Sequence, residues 1–112
     1  MATFITTIKF TQQGFKGFGE TTQRAAAFKA AAKKMGVKVT GMYWTLGDHD
    51  GLMIYDAPDD ETATAMLLHL GSLGNVQTST VRAFNSAEMD SILKRAQPAE
   101  DAKPGRVSGS AR

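Results

Sequence analysis

The first segment of the chain alternates between two sets of side chains with a period of two. The sets are Phe4, Thr6, Ile8 and Phe10, and Ile5, Thr7, Lys9 and Thr11. Successive side chains of a strand point to opposite faces, so this alternation and its β-branched residues predict a strand over residues 3–11. The same reasoning predicts strands over residues 37–46, 52–56 and 76–84.

Two segments carry apolar residues at helical spacing. Their stripes are Ala25, Phe28, Ala32 and Met35, and Ala63, Met66, Leu67 and Leu70. The first stripe predicts a helix over residues 21–35, with Thr21 or Thr22 as the N-cap. Gly36 is placed to end this helix in the left-handed conformation. Between the first strand and this helix, the glycine-rich residues 14–19 predict a flexible loop or turn, because they match neither phosphate-binding motif.

The second helix is expected to begin near Pro58, which suits a first helical turn. His69 falls near its end, where the helix dipole favours a cation. A short terminal helix is expected from Asn85 or Ser86 to about residue 95, and Asn85 with Glu88 can form a reciprocal cap.

The resulting order, β-α-β-β-α-β plus a C-terminal helix, indicates an α+β protein. Right-handed crossovers and a central hairpin favour a ferredoxin-like split β-α-β sandwich: a four-stranded antiparallel sheet with both main helices on one face. We expect residues 1–96 to form this domain. Residues 97–112 contain one large aliphatic side chain, Val107, and are expected to form a loose tail or to order against a partner subunit.

In the predicted fold, neither main helix covers the second face of the sheet. We assign the more apolar phase to the helix side: Phe4, Ile8, Phe10, Leu52, Ile54, Val81 and Ala83. The other phase is Ile5, Thr7, Lys9, Lys38, Thr40, Met42, Trp44, Met53, Tyr55, Thr78, Thr80 and Arg82. Its apolar surface is too large to leave in water, so we expect a homodimer or a larger homo-oligomer.

Such an interface can enclose a small-molecule site. Lys9 and Arg82 are expected on neighbouring strands of this face, and with Trp44 and Tyr55 they would bind a small anionic or aromatic ligand. The alternative is that both cations pair with acids across the interface or reach solvent.

Asp48, His49 and Asp50 form the densest cluster of titratable residues. At the mouth of the site, His49 and Asp50 are the candidate catalytic acid and base. The alternative is turn chemistry, because acids and glycines are also what a tight connection uses.

Composition excludes several classes of site and makes several kinds of partner unexpected. The 112 residues include no cysteine and two histidines, so disulfides and thiolate chemistry are excluded and neither a metal site nor a cofactor is expected. The net charge is +2, which does not indicate nucleic-acid binding, and the RNP signature of RNA-binding sheets is absent. With neither a signal peptide nor a membrane-spanning stretch, we expect a cytoplasmic protein without a membrane partner.

Several motifs together resemble the GYD-domain family over residues 3–95. They are Phe10 to Gly14, Met42 to Asp50, Ala57 to Glu61, Leu70 to Val76 and Val81 to Phe84. The family is named for a Gly-x-Tyr-Asp motif, in which Gly47 and Asp50 match and His49 replaces the tyrosine.

The resemblance implies a small bacterial-type protein with a ferredoxin-like fold, similar to the dimeric α+β barrel group. That group includes cofactor-independent monooxygenases, isomerases and stress-response proteins, and no catalytic residues carry over from the family. Two hypotheses follow. One is a homo-oligomer that binds a small ligand, with an enzyme of the monooxygenase or isomerase type as its sharper form. The other is a non-enzymatic assembly or regulatory module whose sheet face serves only oligomer packing.

Overall fold

The predicted strands and helices follow one another in the predicted order, with one short helix and a 3-10 turn added after the first strand. In a computed structural model that describes residues 1–98, the elements are β1 (Ala2–Phe10), α1 (Gln12–Lys16), a 3-10 turn (Phe18–Glu20), α2 (Thr21–Lys34), β2 (Lys38–Trp44), β3 (Gly51–Ala57), α3 (Asp60–Ser72), β4 (Val76–Ala83) and α4 (Ser86–Ala96). The predicted tail lies outside the described residues from position 99 onward.

The four strands form one sheet in the order β2-β3-β1-β4. Every neighbouring pair is antiparallel, with β1 and β3 at the centre. Buried residues of α2 (Phe28, Ala32) and α3 (Ala63, Met66) form one core with Phe4, Met53 and Tyr55 of the sheet. The predicted ferredoxin-like α+β architecture is therefore confirmed.

Strand register defines two faces of the sheet, because directly paired residues of antiparallel strands lie on the same side. The helix face, which packs against α2 and α3, carries Phe4, Thr6, Ile8, Phe10, Val39, Met42, Trp44, Gly51, Met53, Tyr55, Val76, Thr78, Thr80 and Arg82. The open face carries Ile5, Thr7, Lys9, Lys38, Gly41, Tyr43, Leu52, Ile54, Asp56, Gln77, Ser79, Val81 and Ala83.

The predicted face assignment is right for β1 and wrong for β3 and β4; on β2 it is right for Lys38 and wrong for Met42 and Trp44. Leu52, Ile54, Val81 and Ala83 belong to the open face, whereas Met42, Trp44, Met53, Tyr55, Thr78, Thr80 and Arg82 belong to the helix face. Both phases of β3 are apolar, so hydrophobicity does not distinguish its sides. On β4, Thr78 and Thr80 face inward, and the Thr80 hydroxyl has a partner there.

That partner belongs to a chain of three hydroxyl groups. Tyr55 and Thr6 are both 0% exposed. The Thr6 Oγ1 lies 2.9 Å from the Tyr55 phenol oxygen and 2.8 Å from the Thr80 Oγ1. Buried hydroxyls that hydrogen-bond each other avoid the cost of desolvation without a partner. The chain therefore joins β3, β1 and β4 inside the core.

Two helix ends differ from their predictions. The Thr21 hydroxyl accepts a hydrogen bond from the Trp44 indole, and α2 has no side-chain N-cap at Glu20. The second main helix begins after Pro58, with Asp59 as its N-cap. The left-handed Gly36, at φ +82°, is confirmed, as is the reciprocal cap of Asn85 with Glu88.

The predicted glycine-rich loop is partly helical. The Thr11 hydroxyl accepts from the backbone N–H of Gly14 and so caps α1. A Cβ atom at Gly14 would lie 2.1 Å from the backbone oxygen of Asn75. Glycine at this position lets the short helix lie directly against the start of β4.

Candidate functional site

A cavity of about 240 Å³ lies at one end of the sandwich, between the helix face and α2. Here β1 and β2 end and β3 and β4 begin, and the C-terminal end of α3 forms one side. The apolar lining includes Ile8, Phe10, Phe28, Met42, Met53, Leu70 and Val76. This combination of a concave apolar wall and a few polar groups is typical of a small-molecule site.

Asp50 is the acidic residue of the lining. Its carboxylate accepts a hydrogen bond of 2.8 Å from the backbone N–H of Phe10. Its own N–H donates to the Ile8 carbonyl at 2.8 Å. Both bonds tie the loop between β2 and β3 to the end of β1, so the carboxylate is held in a fixed position at the cavity.

Arg24 supplies the positive charge of the lining. Its guanidinium donates to the backbone oxygen of Gly17 at 2.8 Å and to that of Gly14 at 3.4 Å. These contacts hold the side chain against the segment that precedes α2. The Trp44 indole donates to the Thr21 hydroxyl at 3.0 Å and joins the end of β2 to the start of α2.

The two histidines occupy different positions. His69, in the last turn of α3 as predicted, contributes to the cavity lining. His49 is exposed and lies in the loop after β2, where its backbone oxygen accepts from the Thr45 hydroxyl at 2.6 Å. Among the described hydrogen bonds and ion pairs, none joins the His49 imidazole to Asp50.

The four predicted ligand-binding residues do not lie together. Lys9 is exposed on the open face, whereas Trp44, Tyr55 and Arg82 belong to the helix face. The expectation that Lys9 and Arg82 share a face is therefore wrong. Trp44 lines the cavity, whereas Tyr55 is fully buried in the core.

The guanidinium of Arg82 is already engaged within the chain. It lies 4.6 Å from the centre of the Phe84 ring and 5.5 Å from that of Phe4. It also donates to the backbone oxygens of Ala83 at 2.6 Å and Thr3 at 3.2 Å. These contacts are sufficient to explain an arginine at this position without a ligand.

Sequence reasoning missed Arg24 and the alanines of α2 as features of the site. Ala25 and Ala31 line the cavity, and their small side chains leave room between helix and sheet. The alanine-rich sequence of α2 was the feature that could have indicated a cavity, because few of its side chains are large enough to fill the space between the helix and the sheet.

The open face presents a second candidate surface. Val81 and Ile54 both pair directly with Ile5, which gives an apolar row across three strands. Val81 and Tyr43 each keep 58% of their surface exposed. The described part of the chain therefore leaves apolar area on this face in contact with solvent.

Residues 1–98 contain neither a candidate metal site nor a candidate membrane span. No cluster of three or more histidine or acidic side chains in that range could hold a metal ion. None of the helices described there is long and apolar enough to cross a membrane.

Comparison with known proteins matches this chain to a family model and to a curated relative. A family model described as the GYD domain matches residues 4–93. The chain belongs to the GYD-domain family. This GYD protein is similar in sequence to a curated protein, the "Glutamine synthetase and cystathionine beta-lyase binding protein" of Thermus thermophilus. The two are 30% identical over 95 residues, which cover 84% of this chain and 100% of the relative. No solved structure matches this GYD protein.

Proposed function

We propose that this GYD protein is a regulatory binding module that docks on metabolic enzymes of the two kinds in its relative's name, glutamine synthetase and cystathionine β-lyase. The observation that carries the proposal is the likeness to the Thermus thermophilus protein along that protein's whole length. A binding role also agrees with the small size of the domain and with the extent of apolar surface that it exposes. Such a module acts in the cytoplasm, where its partner enzymes work.

Self-association through the open face is the second element of the proposal. The row formed by Val81, Ile5 and Ile54 crosses three strands, and contiguous exposed apolar patches mark interaction sites on soluble proteins. Two identical faces related by a twofold axis can cover each other's apolar surface, which makes a homodimer the simplest assembly. The partner enzymes then dock on surfaces that the dimer leaves exposed.

Acid–base catalysis by His49 and Asp50, in an enzyme of the small monooxygenase or isomerase type, stays a prediction. The same holds for an anionic or aromatic ligand bound between subunits by Lys9, Trp44, Tyr55 and Arg82. The separation of Lys9 from Arg82 across the sheet favours the binding module over this alternative.

Docking is tested with glutamine synthetase and cystathionine β-lyase from the genome that encodes this chain. Each enzyme is immobilised and titrated with the purified full-length protein, with an unrelated enzyme of similar charge as the control. We expect saturable binding to at least one of the two enzymes and none to the control. Absence of binding to both enzymes would overturn the proposal of an enzyme partner.

Self-association is tested with Val81→Lys, which places a charge in the apolar row. We expect the mass measured by light scattering to fall from that of a dimer to that of a monomer, because a lysine ammonium in an apolar interface loses its hydration. Leu68→Lys is the matched control, since Leu68 is 70% exposed on α3. A monomeric wild type, or equal masses for both variants, would contradict the open-face dimer.

A further inference from the structure

We propose that the cavity beneath α2 binds one small, mainly apolar molecule inside each copy of the chain. The proposal goes beyond the docking function, which concerns the outer surface, and it places the ligand on the helix face rather than between subunits. The cavity volume is about 240 Å³. An apolar protein cavity of about 150 Å³ is large enough to take up benzene, so the occupant has the size of a substituted benzene ring.

The space is confined to one end of the sandwich. Further along α2 the helix packs closely, since Ala32 is 0% exposed within the core, whereas Phe28, 8% exposed, borders both the core and the cavity. Ala25 and Ala31 of the same helix line the cavity together with Met42 and Gly51 of the sheet, and the small alanine side chains leave the space unfilled. Protein interiors are normally packed to the density of organic crystals. A cavity of this size beside a well-packed core is therefore suited to an occupant from outside the chain.

The lining decides the chemistry of the occupant. Most of the wall consists of aliphatic, aromatic and thioether side chains, which interact with a molecule by dispersion and by exclusion of water. Three polar side chains of the lining are engaged within the chain: Asp50 with the Phe10 N–H, Arg24 with backbone oxygens, and the Trp44 indole with Thr21. His69 adds one further polar side chain to the lining. An uncharged molecule with an apolar body and at most one hydroxyl therefore fits better than a sugar, a nucleotide or a multiply charged acid.

The chain provides its own reporters for this site. Met42 and Met53 line the cavity, whereas Met35 lies at the C-terminal end of α2 and Met89 on α4, 38% and 43% exposed. The full-length protein, labelled with ¹³C at the methionine methyl groups, is titrated with benzyl alcohol. We expect saturable shifts of the Met42 and Met53 signals with one common dissociation constant, and no saturable shift of Met35 or Met89. Shifts that never saturate, or that affect all four methyl groups alike, would overturn the proposal.

A pair of matched substitutions tests the location of the site. Ala31 lines the cavity and Ala30 is exposed on the same helix, so Ala31→Leu fills the space whereas Ala30→Leu makes the same chemical change outside it. We expect Ala31→Leu to weaken benzyl alcohol binding by about tenfold or more, because the added side chain takes the place of the ligand. We expect Ala30→Leu to leave the affinity unchanged.

Circular dichroism verifies that each variant is folded. If Ala31→Leu is unfolded, Ala25→Leu makes the same comparison from another position of the lining, and the titration of the wild-type methionines decides the proposal without any variant. Wild-type affinity in a folded Ala31→Leu or Ala25→Leu protein would overturn the proposal. Enzyme docking is measured separately on the outer surface, so either proposal can fail while the other stands.

Discussion

Asp50 shows how one carboxylate stabilises the loop that carries the family motif. Its side chain accepts from the Phe10 N–H, and its backbone forms bonds with Ile8 and Thr45. The neighbouring His49 is exposed, and its described hydrogen bond is made by the backbone oxygen. The two residues, which sequence analysis paired as acid and base, therefore differ in what they contribute to the fold.

This difference predicts unequal effects on stability. Asp50→Ala leaves the half-buried Phe10 N–H without its acceptor, and we expect the free energy of unfolding to fall by about 1–3 kcal/mol. His49→Ala is the matched control and is expected to change it by less than about 0.5 kcal/mol, as is usual for exposed positions. Urea denaturation of both variants measures the two values. Equal losses would show that the Asp50 contacts do not stabilise the loop.

Among the elements, α3 has the best-defined beginning. Asp59 adopts an extended conformation, and its carboxylate accepts from the Thr62 N–H at 2.7 Å. Hydrogen bonds from the Thr62 side chain and then from its backbone lower the pKa of Asp59 from its ordinary value of 3.8. Both favour the ionised carboxylate, which also interacts with the positive end of the helix dipole.

The lowered pKa predicts how this cap depends on pH. Because the carboxylate is more acidic in the folded state, its stabilising contribution is complete above the unfolded pKa of 3.8 and is lost as the pH falls through the lower, folded value. Asp59→Asn keeps a capping oxygen without a charge and serves as the reference. We expect the melting temperature of the wild type to decline relative to this variant only in acid. A difference that is constant from neutral to acidic pH would contradict the role of the charge.

At the scale of the whole molecule, charge is divided along the chain. Residues 1–47 contain seven lysines and arginines and one acidic side chain, whereas residues 48–61 contain six acidic side chains and no lysine or arginine. The acidic segment includes the loop after β2 and the start of α3. In a symmetric dimer, the acidic region of one copy can approach the basic surface of the other, and such complementarity orients the two subunits.

This division predicts that self-association weakens with salt. Exposed charges are screened over about 8 Å at physiological ionic strength and over about 3 Å at 1 M. We therefore expect the dissociation constant of the proposed dimer to rise between low and high salt, measured by sedimentation equilibrium. If the constant is the same at both concentrations, only the apolar row holds the two copies together.

The order of elements was predictable because each segment has a clear period. Alternation around Phe4 and the stripe around Met66 are local properties, and they correctly predict β1 and α3. The side that each strand presents to the core was less predictable, since β3 is apolar in both phases. The pairing of Thr80 with Thr6 gives the inward-facing Thr80 hydroxyl a partner, and a contact between residues so distant in sequence has no local signature.

The cavity was not predictable for a related reason. The cavity lies between α2 and the sheet, and the two are joined there by long-range contacts such as the Trp44–Thr21 hydrogen bond. The close approach of Gly14 to Asn75 is likewise a tertiary feature. The sequence indicates a glycine-rich connection there and does not specify what lies against it.

The hydroxyl chain of Tyr55, Thr6 and Thr80 constrains how sequences with this fold can diverge. Each hydroxyl is hydrogen-bonded to another member of the chain. Replacing Thr6 alone by an apolar residue therefore leaves the Tyr55 and Thr80 hydroxyls without that partner, whereas replacing all three residues together leaves no hydroxyl unpaired. A shift of β3 or β4 by one residue would carry its hydroxyl to the opposite face. We therefore expect the residues at these three positions to change together among relatives, and relatives that keep all three hydroxyls to keep the same strand register.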